Sequence, residues 1–141
     1  MIDHLLQGCL FFTANSLARV MTSLGEEEFQ TTGLAPHYAF ILILVCEKPG
    51  LSQKELGGYL QLTPSTITRF VDKLEGKSFL RRRMEGKAVF LEPTEQGKAL
   101  IPSLEAAWKR LYERYSKQLG YKEGDELTKK VWEATLKLEG K

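Results

Sequence analysis

Apolar residues recur at helical spacing along most of the chain, most clearly between residues 62 and 76. This stretch has a marked start, because Thr63 is a good N-cap residue and Pro64 follows it where a missing N–H costs nothing. Gly76 suits the left-handed position that often ends a helix. The pattern predicts a helix with one apolar face, at the i, i+3, i+4, i+7 spacing. That face comprises Ile67, Phe70, Val71 and Leu74.

A shorter helix is predicted immediately before this one. Ser52 and Glu55 have the spacing of a capping box, which starts a helix that ends near Leu60. The two predicted helices, 52–60 and 63–75, begin with similar caps and are separated by a tight turn. This is the layout of a helix-turn-helix, whose second helix enters the DNA major groove.

The N-terminal part of the chain is predicted to be helical. Residues 2–24 form a long helix with a broad apolar face, and residues 25–33 form a polar connection. Pro36 begins another helix, and residues 37–48 are apolar nearly all round, which indicates burial on several sides.

A basic hairpin is predicted after the helix-turn-helix. Residues 79–83 and 87–92 have strand character, Glu85-Gly86 supplies a turn, and Pro93 stops the second strand. Such a hairpin is a wing that can reach phosphates or a minor groove. The alternative is an ordinary solvated edge strand, on which charges prevent aggregation. The basic residues of the hairpin are Arg81, Arg82, Arg83 and Lys87.

Two helices are predicted to complete the chain. Thr94 caps a long helix that runs to about Leu119, and a last helix covers residues 123–138. The apolar faces of these helices and of the first helix need a partner surface, either the core of the same chain or a second subunit. The fold class is therefore mostly α with a small β-hairpin wing (α+β).

The exposed face of the predicted helix 63–75 carries hydroxyl and charged side chains. Hydroxyl groups can reach phosphates and base edges, and an arginine can form two hydrogen bonds to guanine. An ordinary amphipathic surface helix would show the same pattern. The basic hairpin that follows is what favours a DNA-contacting helix over an ordinary surface helix. The residues on this face are Ser65, Thr66, Thr68, Arg69, Asp72 and Lys73.

Composition limits the remaining classes of protein. The chain has 141 residues and a net charge of only +2, but basic residues outnumber acidic ones between residues 69 and 87. The N-terminus lacks the features of a signal peptide, and the longest apolar run, residues 38–46, is too short to span a bilayer. The two cysteines have no CxxC spacing. We expect a cytoplasmic protein with reduced thiols and no membrane contact.

The stretch LSQKELGGYLQLTPSTITRFVDKLEGKSFLRRR, with PTEQGKALIP after it, resembles the MarR family of bacterial transcriptional regulators. It follows the family pattern S-x-x-E-L-x-x-x-L-x-L-s-x-x-T-x-x-x-x-x-L-E-x-x-G-x-L-x-R and the later T-x-x-G. The resemblance implies one winged helix-turn-helix domain over residues 1–141. Residues 35–93 would form its DNA-binding lobe, and the helices of 1–24 and 94–141 its dimerisation region. The homodimer would bind double-stranded, pseudo-palindromic promoter DNA, usually as a repressor relieved by a small-molecule effector.

The resemblance also assigns residues. It places Ser65, Thr66, Thr68 and Arg69 at bases and nearby phosphates, and Gln53 near the DNA backbone. Arg82, Arg83 and Lys87 belong to the wing, and Lys73 lies on the basic face of the central helix. Two features depart from the pattern. Ser78 stands where the family usually has glycine, and the wing tip is short and lacks the Asp-x-Arg feature of the family.

Two switches are compatible with the sequence. Cys9 lies in the predicted first helix, about where organic-hydroperoxide sensors of the family place a reactive cysteine, but no basic residue is close to it. Core packing is the alternative for this cysteine. Candidates to line an effector pocket, if they are not simply core and interface residues, are Phe12, Ser16, His37, Tyr38 and Tyr112.

Other functions find little support in the sequence. No phosphate-binding loop, nucleophile motif or pair of metal ligands is present, so we expect no enzyme and no cofactor. The cysteines and histidines are not spaced as zinc ligands. A winged helix that binds a protein instead of DNA is the alternative, and a thiol-based regulator using Cys9 is another.

Overall fold

The computed structural model describes residues 1–140 and is mostly helical. The N-terminal half contains α1 (Ile2–Gln7), α2 (Leu10–Phe29), a 3₁₀ turn (Gln30–Thr32), α3 (Pro36–Glu47), β1 (Leu51–Ser52), α4 (Gln53–Leu60) and α5 (Pro64–Gly76). The C-terminal half contains β2 (Leu80–Glu85), β3 (Ala88–Pro93), α6 (Glu95–Leu119) and α7 (Tyr121–Leu138). The predicted fold class is confirmed.

The core is built around α3, which is buried on several sides as its composition predicted. Its side chains meet α5, β3 and α6, and five of its apolar residues are buried. Leu56 of α4 and Leu91 of β3 are also fully buried against this cluster. Helix α3 therefore supports the helix-turn-helix from behind. The buried residues of α3 are Ala39, Ile41, Leu42, Ile43 and Val45.

The N-terminal prediction was wrong in two places. The helix breaks at Gly8 and Cys9, and Cys9 takes an extended conformation as the N-cap of α2. Helix α2 then continues through residues that were expected to form a loop. Gly25 and Phe29, four residues apart, are both buried on one face. Packing of Phe29 edge-on against Phe40, with ring centroids 6.4 Å apart, explains why this polar-looking segment is helical.

The sheet has three antiparallel strands in the order β1-β3-β2. In the hairpin Glu85 pairs with Ala88, so the turn consists of Gly86 and Lys87, one residue later than predicted. Gly86 has a φ of +60°, which fits the first position of a tight hairpin turn. The two-residue strand β1, where Leu51 pairs with Leu91, was not predicted.

The end of α5 also differs from the prediction. The helix includes Gly76, and the left-handed residue is Ser78, with a φ of +65°. The N–H of Phe79 donates to the carbonyl of Leu74 at 3.0 Å, and the N–H of Ser78 donates to that of Glu75 at 2.9 Å. These two bonds form a Schellman motif, in which Ser78 occupies the position that glycine usually takes.

The terminal helices expose much of their apolar surface. Helix α1 has no buried residue, and Phe11 at the start of α2 is 79% exposed. In α7 only Gly124 is buried. The exposed apolar residues of these helices include Leu5, Leu6, Leu10, Phe11, Leu17, Val20, Leu127, Val131 and Trp132.

Candidate nucleic-acid interface

Arg82 joins the wing to the central helix α5. Leu80 is buried, so strand alternation directs Arg82 to the same inner face of the hairpin. Its Nη2 donates to Asp72 Oδ1 at 2.6 Å, and its Nη1 donates to Glu75 Oε1 at 2.8 Å. The backbone N–H of Arg82 donates to the other Glu75 oxygen at 2.9 Å. With its side chain only 19% exposed, Arg82 fixes the angle between wing and helix.

The same network includes helix α4. Arg82 Nε donates to Gln53 Oε1 at 3.3 Å, and Gln53 Nε2 donates to the Thr68 hydroxyl at 2.9 Å. The Thr68 hydroxyl donates in turn to the carbonyl of Pro64 at 3.0 Å. Gln53, Thr68 and Arg82, all expected to contact DNA, are therefore hydrogen-bonded to one another within the protein.

The predicted start of the helix-turn-helix is confirmed. The N–H of Glu55 donates to the Ser52 hydroxyl at 3.0 Å, and the N–H of Ser52 donates back to the Glu55 carboxylate at 3.2 Å. Hydrogen bonds with the Ser52 side chain and backbone hold the pKa of the Glu55 carboxyl below its usual range. Thr63 caps α5, and its hydroxyl also donates to the Thr66 hydroxyl at 2.9 Å.

A row of exposed polar side chains runs along the outer face of α5. Ser65, Arg69 and Lys73 are four residues apart, so they lie one above the other on the helix. The Arg69 guanidinium lies 5.9 Å from the centre of the Phe70 ring, and Lys73 Nζ lies 5.0 Å from that of Tyr38. Within residues 1–140 neither cation forms an ion pair, so both can meet an external anion.

The wing cations differ in their surroundings. Arg83 forms ion pairs with Glu85 and with Glu92, the latter at 3.7 Å, and lies 4.9 Å from the centre of the Phe90 ring. Lys87, in the exposed turn, forms no ion pair within the described chain.

A cleft of about 830 Å³ lies between the helix-turn-helix and the wing. Its walls are α4, the turn between α4 and α5, and the tip of the hairpin. Gln61 forms that turn in a left-handed conformation, with a φ of 57°. Lys54 and Lys87 line the cleft, and Glu139 after α7 reaches it.

The candidate effector residues do not form one cluster through their ring contacts. Tyr38 and His37 lie against Phe70 of α5, with centroids 4.8 and 6.0 Å away. Tyr112 faces α7, where its hydroxyl donates to Asp125 at 2.9 Å, and this bond raises the pKa of Tyr112. Phe12 is exposed and Ser16 half-buried on α2.

The two cysteines lie in different environments. Cys9 is exposed, so packing in the core of its own chain, the alternative favoured by its residue type, is wrong. Cys46 is half-buried in α3, and burial raises the pKa of its thiol.

Two features are missing from residues 1–140: a group of three potential metal ligands, and a single helix that could span a membrane. No three His, Cys, Asp or Glu side chains come together there as potential metal ligands. No single helix in that range is long and apolar enough to cross a membrane, and the pair of α2 and α3 that reaches that length is bent by 62°.

Asp72 was expected on the exposed face of α5 and Glu75 was not singled out, but neither was expected to bind Arg82. Their spacing of three residues places both on one face of α5. Arg82 lies two residues after the apolar Leu80 in the same strand, so the two side chains point to the same face. This spacing could have predicted that Arg82 points inward.

Comparisons with known proteins support this architecture. Residues 36–85 match the family model described as the MarR family. The chain is 30% identical over 91 residues to an uncharacterized HTH-type transcriptional regulator, YybA, from Bacillus subtilis strain 168. That alignment covers 62% of this chain and 61% of the relative, so the chain matches about three-fifths of the relative's length.

Solved structures extend the similarity to nearly the whole chain. The transcriptional repressor CouR bound to a 23-mer DNA duplex matches with a TM-score of 0.85 and 19% identity, covering 96% of this chain and 97% of that one. CouR from Rhodococcus jostii RHA1 bound to p-coumaroyl-CoA matches with a TM-score of 0.76 and 21% identity, covering 94% and 93%. At such identities these matches show the fold alone.

Proposed function

We propose that this chain is a member of the MarR family and a DNA-binding transcriptional regulator that acts as a homodimer on promoter DNA. The observation that carries the proposal is the row of Ser65, Arg69 and Lys73 on the exposed face of α5. These side chains project from a helix that the Arg82 network holds in a fixed orientation. We propose no catalytic activity for the protein. We propose that it acts in the cytoplasm.

The chemistry of this row suits the major groove. Arg69 can donate two hydrogen bonds to guanine, and Ser65 and Thr66 at the start of α5 can donate to phosphates or base edges. The N-terminus of α5 adds backbone N–H groups and a positive dipole end. Lys73 lies further along the helix and would neutralise a phosphate at the edge of the groove.

A second copy of the chain is the partner that the exposed helices fit. Exposed apolar side chains in such number on α1, α2 and α7 are uncommon on a monomer. A two-fold axis between two such regions would present two α5 helices to one face of DNA. Successive major grooves are about one helical turn apart, so the operator would be pseudo-palindromic. In this arrangement residues 35–93 bind DNA and the terminal helices form the dimer.

Repression relieved by a ligand is the mode of action that we propose. CouR, which shares the fold, is described as a repressor and has been solved with p-coumaroyl-CoA as well as with DNA. In this chain an aromatic series connects the long helix to α5. The ring centroid of Trp108 lies 4.8 Å from that of Phe40, which lies 6.5 Å from that of His37. The His37 centroid lies in turn 6.0 Å from that of Phe70 on α5. A ligand that displaced these rings would shift the DNA-binding helix.

Mobility shift with the DNA that flanks the protein's own gene tests the proposal. We expect a complex whose affinity falls steeply as salt rises, because several phosphates are contacted. Arg69→Ala should weaken specific binding by roughly 1–3 kcal/mol, the usual value of a bidentate guanine contact. Lys109→Ala is the control, because Lys109 is exposed on α6, outside the DNA-binding lobe and the exposed apolar helices, and this variant should bind normally. Binding no stronger than to random duplex would contradict the proposal and favour a winged helix that binds a protein.

Sedimentation velocity tests the dimer separately. The wild-type protein should sediment as a dimer at micromolar concentration. Phe11→Glu places a charge in the exposed apolar surface of α2 and should yield a monomer with unchanged helical content. A wild-type monomer under these conditions would contradict the homodimer.

A further inference from the structure

We propose that the wing of each subunit contacts DNA only at the sugar-phosphate backbone, through Lys87, and inserts no arginine into the minor groove. This inference rests on the proposed DNA-binding function. Arg82 and Arg83 would keep their bonds within the protein when the protein binds DNA. Sequence readout is then left to α5 in the major groove.

Arg82 is retained by its own partners. Its guanidinium is held by two carboxylates, from Asp72 at 2.6 Å and Glu75 at 2.8 Å, and by the carbonyl of Thr68 at 3.3 Å. The two acids and the arginine together carry one negative charge. A phosphate that approached Arg82 would therefore meet net repulsion, and extracting the arginine would leave half-buried Glu75 without its partner.

Arg83 lies on the opposite face of the hairpin, away from α5. It is paired with Glu85 and Glu92 and lies over the Phe90 ring. These ion pairs are exposed, so each is weak by itself. The group as a whole still carries one negative charge, which disfavours contact with a phosphate or with the negative potential of the minor groove.

Lys87, unlike Arg82 and Arg83, lies at the tip of the wing, where it can reach a phosphate. It lies in the two-residue turn at the tip, and the left-handed Gly86 before it shapes the turn. Arg81 is the other wing cation without an ion pair in the described chain, but its backbone is paired with that of Glu92, four ladder positions from the tip. A lysine is a flexible point charge that suits a phosphate and carries little base selectivity.

Inosine substitution distinguishes backbone contact from minor-groove readout. A guanine and an inosine present the same major-groove edge, but inosine lacks the N2 amino group in the minor groove. Replacing each guanine by inosine in the operator flanks, where the wings lie, should leave affinity unchanged within about twofold. A larger change at those positions would overturn the proposal.

The salt dependence of operator binding shows which wing residue contacts a phosphate. Each neutralised phosphate contributes about 0.9 to the slope of log affinity against log salt, so Lys87→Gln should reduce that slope by about two for a dimer. Arg83→Gln should reduce the slope by less than half as much. Lys109→Gln on α6 is the control for charge removal alone. A larger effect for Arg83→Gln than for Lys87→Gln would overturn the proposal.

The two proposals fail in different ways. Wild-type protein that binds no operator would remove the DNA-binding function and the wing inference with it. Wild-type protein that binds specifically, but whose affinity responds to flanking inosine, would leave the function intact and refute only the wing inference.

Discussion

Gly97 lies directly against the backbone carbonyl of Phe79, so close that a Cβ on residue 97 would overlap the carbonyl oxygen. The first turn of α6 thereby docks on the segment that links α5 to the wing. Thr94 secures the same contact, since its hydroxyl donates to the carbonyl of Ser78 at 2.6 Å and its N–H donates to that of Phe79 at 3.1 Å. This junction explains the Thr-x-x-Gly spacing at the start of the long helix.

Gly97→Ala should therefore destabilise the protein by about 2 kcal/mol, because backbone atoms must move to admit the methyl group. Urea denaturation followed by circular dichroism measures the change. Gly58→Ala is the matched control, since open space surrounds Gly58 in α4, and it should be neutral or slightly stabilising. Equal effects of the two substitutions would disprove the close approach.

Replacement of Arg82 should affect stability and DNA binding together. Arg82→Ala should cost roughly 1–2 kcal/mol of unfolding free energy, allowing for the exposure of Asp72. Operator affinity should fall because the wing loses its orientation, and the slope of log affinity against log salt should fall by no more than in Lys87→Gln, because the Lys87 contact is the only phosphate contact that the wing loses. Arg82→Lys keeps the charge but cannot hold both carboxylates, so it should be intermediate. A salt slope reduced by more than in Lys87→Gln would instead indicate that Arg82 itself contacts a phosphate.

Ser78 offers a stabilising substitution. A non-glycine residue in the left-handed region costs about 1–2 kcal/mol, whereas glycine adopts it freely at some cost in chain entropy. Ser78→Gly should raise the free energy of unfolding by roughly 0.5–1 kcal/mol, measured by thermal and urea denaturation. Ser78→Ala keeps the strain and should show no gain. Lower stability of the glycine variant would rule out this account of the helix end.

The capping box of α4 should make stability depend on acid. The pKa of the Glu55 carboxyl is lowered in the folded state, so its contribution is present above the unfolded value near 4.5 and disappears as pH falls through the folded pKa. The stability difference between wild type and Glu55→Gln should thus be largest above about pH 5 and narrow at lower pH. Glu126→Gln on α7 controls for the removal of an exposed acid. A difference that stays constant down to about pH 3 would exclude the ionised cap.

Local signals explain most of the success of the sequence-based prediction. Ser52 and Thr63 mark the starts of α4 and α5 because a cap involves only residues three apart. The segment from Gly25 to Phe29 was missed because its burial depends on Pro36 and Phe40, which belong to another helix. A polar composition alone did not reveal that packing.

The sequence predicts which helices and strands form the site better than it predicts the contacts of individual side chains. The exposed positions of Ser65, Arg69 and Lys73 follow from the period of α5. The mutual bonding of Gln53, Thr68 and Arg82 depends on how the hairpin folds back against two helices. No spacing in the sequence predicts that these three side chains come within hydrogen-bonding distance. Residues that were expected to contact DNA are therefore found bonded to each other.

The ring contact between Phe40 and Trp108 gives the molecule a built-in optical probe. Trp108 of α6 lies 4.8 Å from Phe40 of α3, at the junction between the long helix and the lobe of residues 35–93. The chain has only two tryptophans, and the other, Trp132, is on α7. A Trp132→Phe protein would hold a single indole at that junction. Its fluorescence would report movement between long helix and lobe without an added label.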